Sequence, residues 1–248
     1  MQIQKIQNNN YNPKFSSWAR EVYEPLNAST RQLKHRNNTC IYRDGAIWER
    51  MCQFFVDKFK DVPKVNVYNY ACSNGSEPYT FLMELISNFP KDIVEKFTPV
   101  MAKDYDETAI NIAQSKKIPI NVNEYAKIQH FTKRHFDRFF CDYDYKSDSY
   151  IPSDELFSKV QFERADIRND YLNIEPQNSI FFARNFWPYL DRVDMVHLAR
   201  NLGKHLQKGS FLVKGFGFDN RGTNYKLDIN LFDSGFKRTA IEGVMEKT

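Results

Sequence analysis

The strongest constraint on the fold is a regular alternation that begins near residue 65. "KVNVYNYA" (64–71) reads as a strand, and "SEPYTFLMELISNF" (76–89) as a helix with Pro78 near its first turn. "FTPVMAKDYD" (97–106) reads as the next strand and "DETAINIAQSKK" (106–117) as a helix opened by acidic residues. Strand, helix, strand, helix demands parallel strands joined by right-handed crossovers. The pattern resumes with strands at "KVQFERAD" (159–166) and "NSIFFARN" (178–185), a helix at "DRVDMVHLARNLGKHL" (191–206) and a strand at "GSFLVKGFG" (209–217). "GFKRTAIEGVMEKT" (235–248) reads as two short strands joined at Glu242 and Gly243, a hairpin at the sheet edge. The expectation is an α/β fold: a mostly parallel seven-stranded sheet, helices on both faces and an antiparallel C-terminal hairpin.

Two segments stand outside this rhythm. The first thirty-six residues are polar and Asn-rich, with one candidate helix at "KFSSWAREVYEPL" (14–26), so residues 1–36 are expected to be a short helical prelude to a domain over 37–248. "DGAIWERMCQFFVDKF" (44–59) has apolar residues at helical spacing and is closed by Pro63. The stretch between the second helix and "VQFERAD" begins with helical phasing at "YAKIQHFTKRHFDRFF" (125–140) and turns Tyr/Asp-rich at "CDYDYKSDSYIPSDEL" (141–156). A small hairpin or flap at about 139–158 is expected there, and long insertions in compact domains are commonly functional.

Composition narrows the function classes. The 248 residues are 42% hydrophobic and 15% aromatic, enough for a large core. The net charge of +4 comes from 35 basic and 31 acidic residues spread along the chain, not the concentrated basic face of a nucleic-acid binder. Cys40, Cys52, Cys72 and Cys141 form no C-x-x-C pair, and the N-terminus lacks the apolar core of a signal peptide. A reduced, cytoplasmic setting is expected. No apolar run reaches the roughly 18 residues needed to span a bilayer, and the five histidines show no ligand spacing, so neither a membrane span nor a metal site is expected.

Ligands of open α/β sheets bind beyond the carboxyl ends of the strands, which directs attention to three of them. The first runs into "ACSNGSEPY" (71–79), where small residues and one glycine let a ligand approach the backbone; a plain strand-to-helix connection explains such a loop equally well. The second ends in Asp104-Tyr105-Asp106, where Asp106 can be a helix cap and Asp104, still on the strand, can take a ribose hydroxyl. The third ends in Ala165-Asp166-Ile167, an acid for an exocyclic amine and an aliphatic side chain for a ring face. Together they outline a nucleoside site.

Four stretches carry a family resemblance. "ACSNGSEPYTFLMEL" resembles the A-x-S-x-G-E-E-P-Y-S-I-A-M motif of the chemotaxis-receptor glutamate methyltransferases, the CheR family. "VMAKDYDETAINIAQ" is similar to its A-x-D-I-D segment, "NNTCIYRDGAIW" to its N-x-T-x-F-F-R-E segment and "IFFARNFWPYLD" to its I-F-C-R-N-V-x-I-Y-F-D segment. The similarity runs in order from about residue 37 to about residue 214.

The resemblance implies a Rossmann-like class I methyltransferase that takes S-adenosylmethionine, releases S-adenosylhomocysteine and methylates a glutamate side chain of a protein, a receptor being the family's usual partner. It assigns Asn37, Thr39, Ala71, Ser73, Gly75, Glu77, Asp104, Asp166, Ile167, Asn185 and Phe186 to the cofactor, and Arg43 and Tyr189 to the acceptor. The residues alone leave other readings open: Arg43 as a surface residue at a helix start, and Tyr189 as core packing among Phe186 and Trp187. Three departures bear on the substrate. Ser76 replaces an acid, no G-H-S-E stretch follows "FLVKGFG", and the N-terminal helical region is short. A small molecule or nucleic acid as acceptor, and a cofactor-binding module without turnover, are the alternative functions.

Overall fold

The computed structural model describes residues 39–45, 47–184, 186–215 and 224–248, the last span by its backbone alone up to 226. The expected helix at 14–26 and the site residues Asn37 and Asn185 lie outside these residues. In chain order the elements are α1 (Ile47–Lys58), β1 (Asn66–Tyr70), α2 (Ser76–Asn88), α3 (Lys91–Lys96), β2 (Val100–Asp104), α4 (Glu107–Gln114), α5 (Val122–Phe131) and α6 (Phe136–Phe139). They continue with β3 (Phe140–Asp144), β4 (Ser149–Pro152), α7 (Asp154–Phe157), β5 (Val160–Arg164), α8 (Ile167–Asp170), β6 (Ser179–Phe182), α9 (Arg192–His205), β7 (Phe211–Val213), α10 (Asn224–Asp233), β8 (Phe236–Arg238) and β9 (Val244–Lys247).

Seven strands form one sheet in the order β5-β2-β1-β6-β7-β9-β8. The first five are parallel, and β9 runs antiparallel between β7 and β8. This is the seven-stranded, mostly parallel sheet the alternation predicts, with the C-terminal hairpin at one edge. Strand order reverses between β1 and β6, the place where such sheets open a crevice at their carboxyl ends.

The central strands are buried over most of their length because both faces are covered. Alternate residues serve two separate cores: Val67, Ile180, Phe182, Phe211, Val213 and Val244 pack into one, with α1 and α2. Tyr68, Tyr70, Phe181, Leu212 and Met245 pack into the other, with α9 and α10. Phe55 of α1 meets both Phe182 and Phe211 edge-on at 6.3 and 5.6 Å between ring centroids, which fixes α1 over the β6–β7 half of the sheet.

The helical phasing at 125–140 is divided into α5 and α6. Lys133 and Arg134 adopt left-handed φ angles of 55° and 69°, which interrupt the helix between them. Strands β3 and β4 then pair antiparallel as a separate two-stranded sheet. That hairpin is tied to the body by the reciprocal amide bonds of Ile118 and Tyr150, at 2.9 and 2.8 Å. Among the described residues, no helix is long and apolar enough to cross a membrane, and no group of His, Cys, Asp or Glu could hold a metal ion.

Candidate functional site at the strand ends

The loop after β1 is shaped by left-handed backbone at every second residue: Ala71, Ser73 and Gly75 have φ of 57°, 50° and 91°. Alternating handedness turns successive amides towards one side. On that side the Ser73 amide donates to Asp104 Oδ2 at 2.8 Å. The other Asp104 oxygen accepts the Asp106 amide at 2.9 Å. Asp104 is buried, and it stitches the ends of β1 and β2 together. The Cys72 amide on the Lys103 carbonyl (3.1 Å) and the Ala165 amide on the Asp104 carbonyl (2.9 Å) extend the stitching to the end of β5. Ala71, Ser73, Asp104 and Asp166 therefore stand on adjoining strand ends. Asp106 caps α4, its side chain accepting from the Thr108 amide at 2.8 Å.

Gly75 has a packing reason of its own. A Cβ there would meet the Phe162 ring at 2.8 Å and Tyr79 at 3.1 Å, so the glycine lets the start of α2 lie against β5. At Ser76, where the resembling motif has an acid, the hydroxyl is buried and donates to Asn74 Oδ1 at 2.7 Å. The same oxygen accepts the Ser76 amide at 3.1 Å, closing the turn locally.

Glu77, on the first turn of α2, accepts Asn69 Nδ2 at 2.7 Å with one oxygen and meets Arg184 Nη1 at 2.9 Å with the other. Arg184 is the residue that reading by motif overlooked. It follows β6 with its side chain wholly buried, pairs also with Asp44, and lies 5.0 Å from the Trp48 ring centroid. Its only mark in the sequence is a charge two residues beyond the apolar run at 180–182, and such a charge needs partners when buried.

Arg43 is half-buried in the turn at 41–45, and its carbonyl accepts Trp48 Nε1 at 2.7 Å. The turn is fastened at its start: the Ile41 amide donates to Glu124 Oε1 at 2.8 Å and the Tyr42 amide to Thr80 Oγ1 at 3.0 Å. Thr39 precedes it, also half-buried. Tyr189 closes a 3-10 turn, Trp187–Tyr189, and packs partly buried against the second core. Phe186 is buried, stacked on Trp187 with 4.7 Å between ring centroids.

Asp166 caps α8 and pairs with Arg168 at 2.6 Å, which holds its carboxyl below the usual carboxylate range. Ile167 is buried in the second core. A groove of about 320 Å³ runs between α8 and α9, lined by Arg168, Asn169, Asp194, His197, Leu198 and Asn201, beside Asp166 and away from the loop at 71–75. On the far side of β2, buried Lys103 pairs with Asp170 at 2.8 Å and Glu163 at 3.2 Å beneath the Tyr70 ring. Burial alone would raise the Asp170 carboxyl, but Lys103, Tyr70 and Asn173 together bring it below its ordinary value.

S-Adenosylmethionine presents an ammonium, a carboxylate, a ribose diol and an aminopurine. The site offers groups of matching sign, with carboxylates at Glu77, Asp104 and Asp166. Asn69 Oδ1, buried at the end of β1 beside Glu77, has no hydrogen-bond partner among the described residues, so an acceptor stands ready for an ammonium donor. The residues fit the group.

Comparison with known proteins agrees with this reading. The model of the family described as CheR methyltransferase, SAM binding domain, matches residues 37–218. A chemotaxis protein methyltransferase of Borreliella burgdorferi is 24% identical over 164 residues, covering 64% of this chain and 54% of that protein, so the match spans about half of the relative's length. Among solved structures, magnesium protoporphyrin IX methyltransferase from Synechocystis PCC 6803 with bound SAM superposes with a TM-score of 0.42 at 11% identity, covering 81% of this chain and 78% of the other. N-methyltransferase NodS from Bradyrhizobium japonicum WM9 in complex with S-adenosylhomocysteine gives 0.40 at 12% identity, covering 94% of each. With a family match over most of its length and a strand-end site whose groups suit S-adenosylmethionine, the chain belongs to the CheR methyltransferase family, in its SAM-binding domain.

Proposed function

We propose that the protein is an S-adenosylmethionine-dependent O-methyltransferase that converts a glutamate carboxylate of a protein to its methyl ester. The supporting observation is how closely the Arg43 turn is fastened to the cofactor loop. The Tyr42 amide bonds Thr80 Oγ1, joining the arginine's turn to α2, and the same hydroxyl donates to the Ser76 carbonyl at 2.8 Å in the first turn of that helix, beside Glu77. A guanidinium held there suits a carboxylate acceptor, because its planar fork binds both oxygens and fixes their direction.

In this reading Arg43 presents the acceptor carboxylate and Tyr189 donates one further hydrogen bond to it. Ala71, Ser73, Gly75 and Glu77, with Asn37, Thr39, Asn185 and Phe186, hold the methionine portion of the cofactor. Asp104 takes the ribose, and Asp166 with Ile167 the adenine. When bound, S-adenosylmethionine supplies a methyl group on a sulfonium, and a neutral thioether leaves as the ester forms. A glutamate is ionised near pH 7, so the protein's task is alignment and not proton removal. A receptor is one candidate for the protein that bears the glutamate.

Labelling with tritiated methyl donor, using protein fractions of its own cell extract as acceptors, tests the assignment. Label released as methanol by mild alkali is expected. Alkali-stable label would replace the ester with methylation of nitrogen or carbon, and binding of S-adenosylhomocysteine without transfer to any fraction would favour a cofactor-binding module.

A further inference from the structure

Arg184 joins three segments that lie far apart in the chain. Its guanidinium, wholly buried, is shared between Asp44 on the Arg43 turn and Glu77 on the cofactor loop, with Trp48 beneath it. Asp44 and Arg184 are 140 residues apart in sequence. A buried arginine stays charged and needs carboxylates to offset the cost of leaving water, and two carboxylates on separate segments allow its allegiance to shift between them.

We propose that Arg184 is a positioning residue that couples cofactor binding at Glu77 to the setting of the Arg43 turn. The proposal rests on the reading above, with Glu77 on the cofactor side and Arg43 on the acceptor side. In the ligand-free protein Glu77 draws on Arg184 in competition with Asp44. Once Glu77 is shared with a second cation, more of the guanidinium is left to Asp44, and the turn at 41–45 is held more firmly. Linkage makes the effect reciprocal: whatever frees Arg184 from Asp44 strengthens its grip on Glu77 and weakens cofactor binding there. The cofactor therefore readies the acceptor side before the acceptor arrives.

The test is a double-mutant cycle read by calorimetry with S-adenosylhomocysteine on folded protein, using Asp44→Asn, Glu77→Gln and the double variant. Asp44→Asn is expected to weaken binding about fivefold or more, the lower range of typical couplings, although Asp44 has no place in the cofactor site. In the Glu77→Gln background the same change is expected to have almost no effect, because no carboxylate remains to compete for. Hydrogen exchange gives a second readout that a merely structural role would not move. The amides of Ile41, Tyr42 and Gly45, bonded to Glu124, Thr80 and the Tyr42 carbonyl, are expected to slow on ligand addition in the parent protein and not in Glu77→Gln. Independent effects of the two substitutions, with the parent binding normally, would overturn the coupling and leave the cofactor site standing. A folded parent that does not bind S-adenosylhomocysteine would overturn both. The cycle does not depend on Arg184 variants, whose folding the buried charge puts at stake.

Discussion

Asp104 Oδ2 accepts the Ser73 backbone amide at 2.8 Å, so the acid at the end of β2 keeps the loop at the end of β1 in shape. Its second oxygen holds the Asp106 amide, and the carboxylate itself is buried. The carboxylate proposed for the ribose is thus also a structural part of the loop proposed to hold the rest of the cofactor.

Asp104→Asn keeps one amide acceptor and loses the other. Leaving one buried amide unpaired costs about 1–3 kcal/mol, and the loosened loop should lower S-adenosylhomocysteine affinity by roughly tenfold or more. Urea unfolding and calorimetry on the same preparation check both. Parent-like values in both would show that the carboxylate is dispensable to the loop.

Gly75→Ala meets two obstacles that can be separated. A side chain at φ 91° strains the backbone, and the new Cβ would sit 2.8 Å from the Phe162 ring. Together these should destabilise the protein by about 2–4 kcal/mol. Adding Phe162→Leu should recover the steric share and leave the backbone share, measured as urea midpoints. Full recovery would mean that the backbone angle carries no cost.

Glu84, on α2, is buried, and burial pushes its carboxyl up to about 7 against the opposing pull of Tyr42 and Asn88. Between the usual carboxylate range and about pH 7 the folded chain holds a proton that the unfolded chain has released. Stability therefore falls as pH rises through this window and stays low above it. The loss amounts to roughly 3 kcal/mol at most. Glu84→Gln should remove the penalty, flatten the profile and raise the urea midpoint at pH 8 more than at pH 5.5. A fall at pH 8 would show that the ionised carboxylate is stabilising after all.

Arg43→Ala should separate the two halves of the site. Turnover with the acceptor found by labelling should drop on the order of a hundredfold, because positioning is lost, while S-adenosylhomocysteine affinity changes little. Arg43→Lys should recover only part, since an ammonium cannot bind both carboxylate oxygens in one plane. Unchanged turnover in Arg43→Ala would remove Arg43 from the acceptor site.

Most of the sheet was legible in the sequence because β-branched and aromatic runs alternate with helical ones, and each parallel strand needs two covered faces. Helix α3 (Lys91–Lys96) was not, since a six-residue, mostly exposed helix leaves no periodic stripe. Among the described residues, helix α10 shows its core side through Leu227 and Leu231, one turn apart, and it escaped for the same reason.

At the site, motif reading located the strand-end residues but not the bonds between them. Nothing local in "ARN" announces that Arg184 reaches Asp44 and Glu77, because the pairing exists only after β6 and the 41–45 turn have met. Nor does the sequence tell that Gly75 is small on account of Phe162 as well as any ligand. Asp106, which the sequence offers as a helix cap, is the cap of α4 in the structure.

The neighbours Lys103 and Asp104 have one further consequence, for how β2 finds its place. They point to opposite faces, the ammonium to Asp170 and Glu163, the carboxylate to the Ser73 and Asp106 amides. A slip by one residue would exchange the faces. It would bring the carboxylate against two acids and set the ammonium among amide donors, both repulsive and both out of water. The wrong alignment is thereby penalised twice while the correct one is not, and the central strands are sorted by charge as well as by shape.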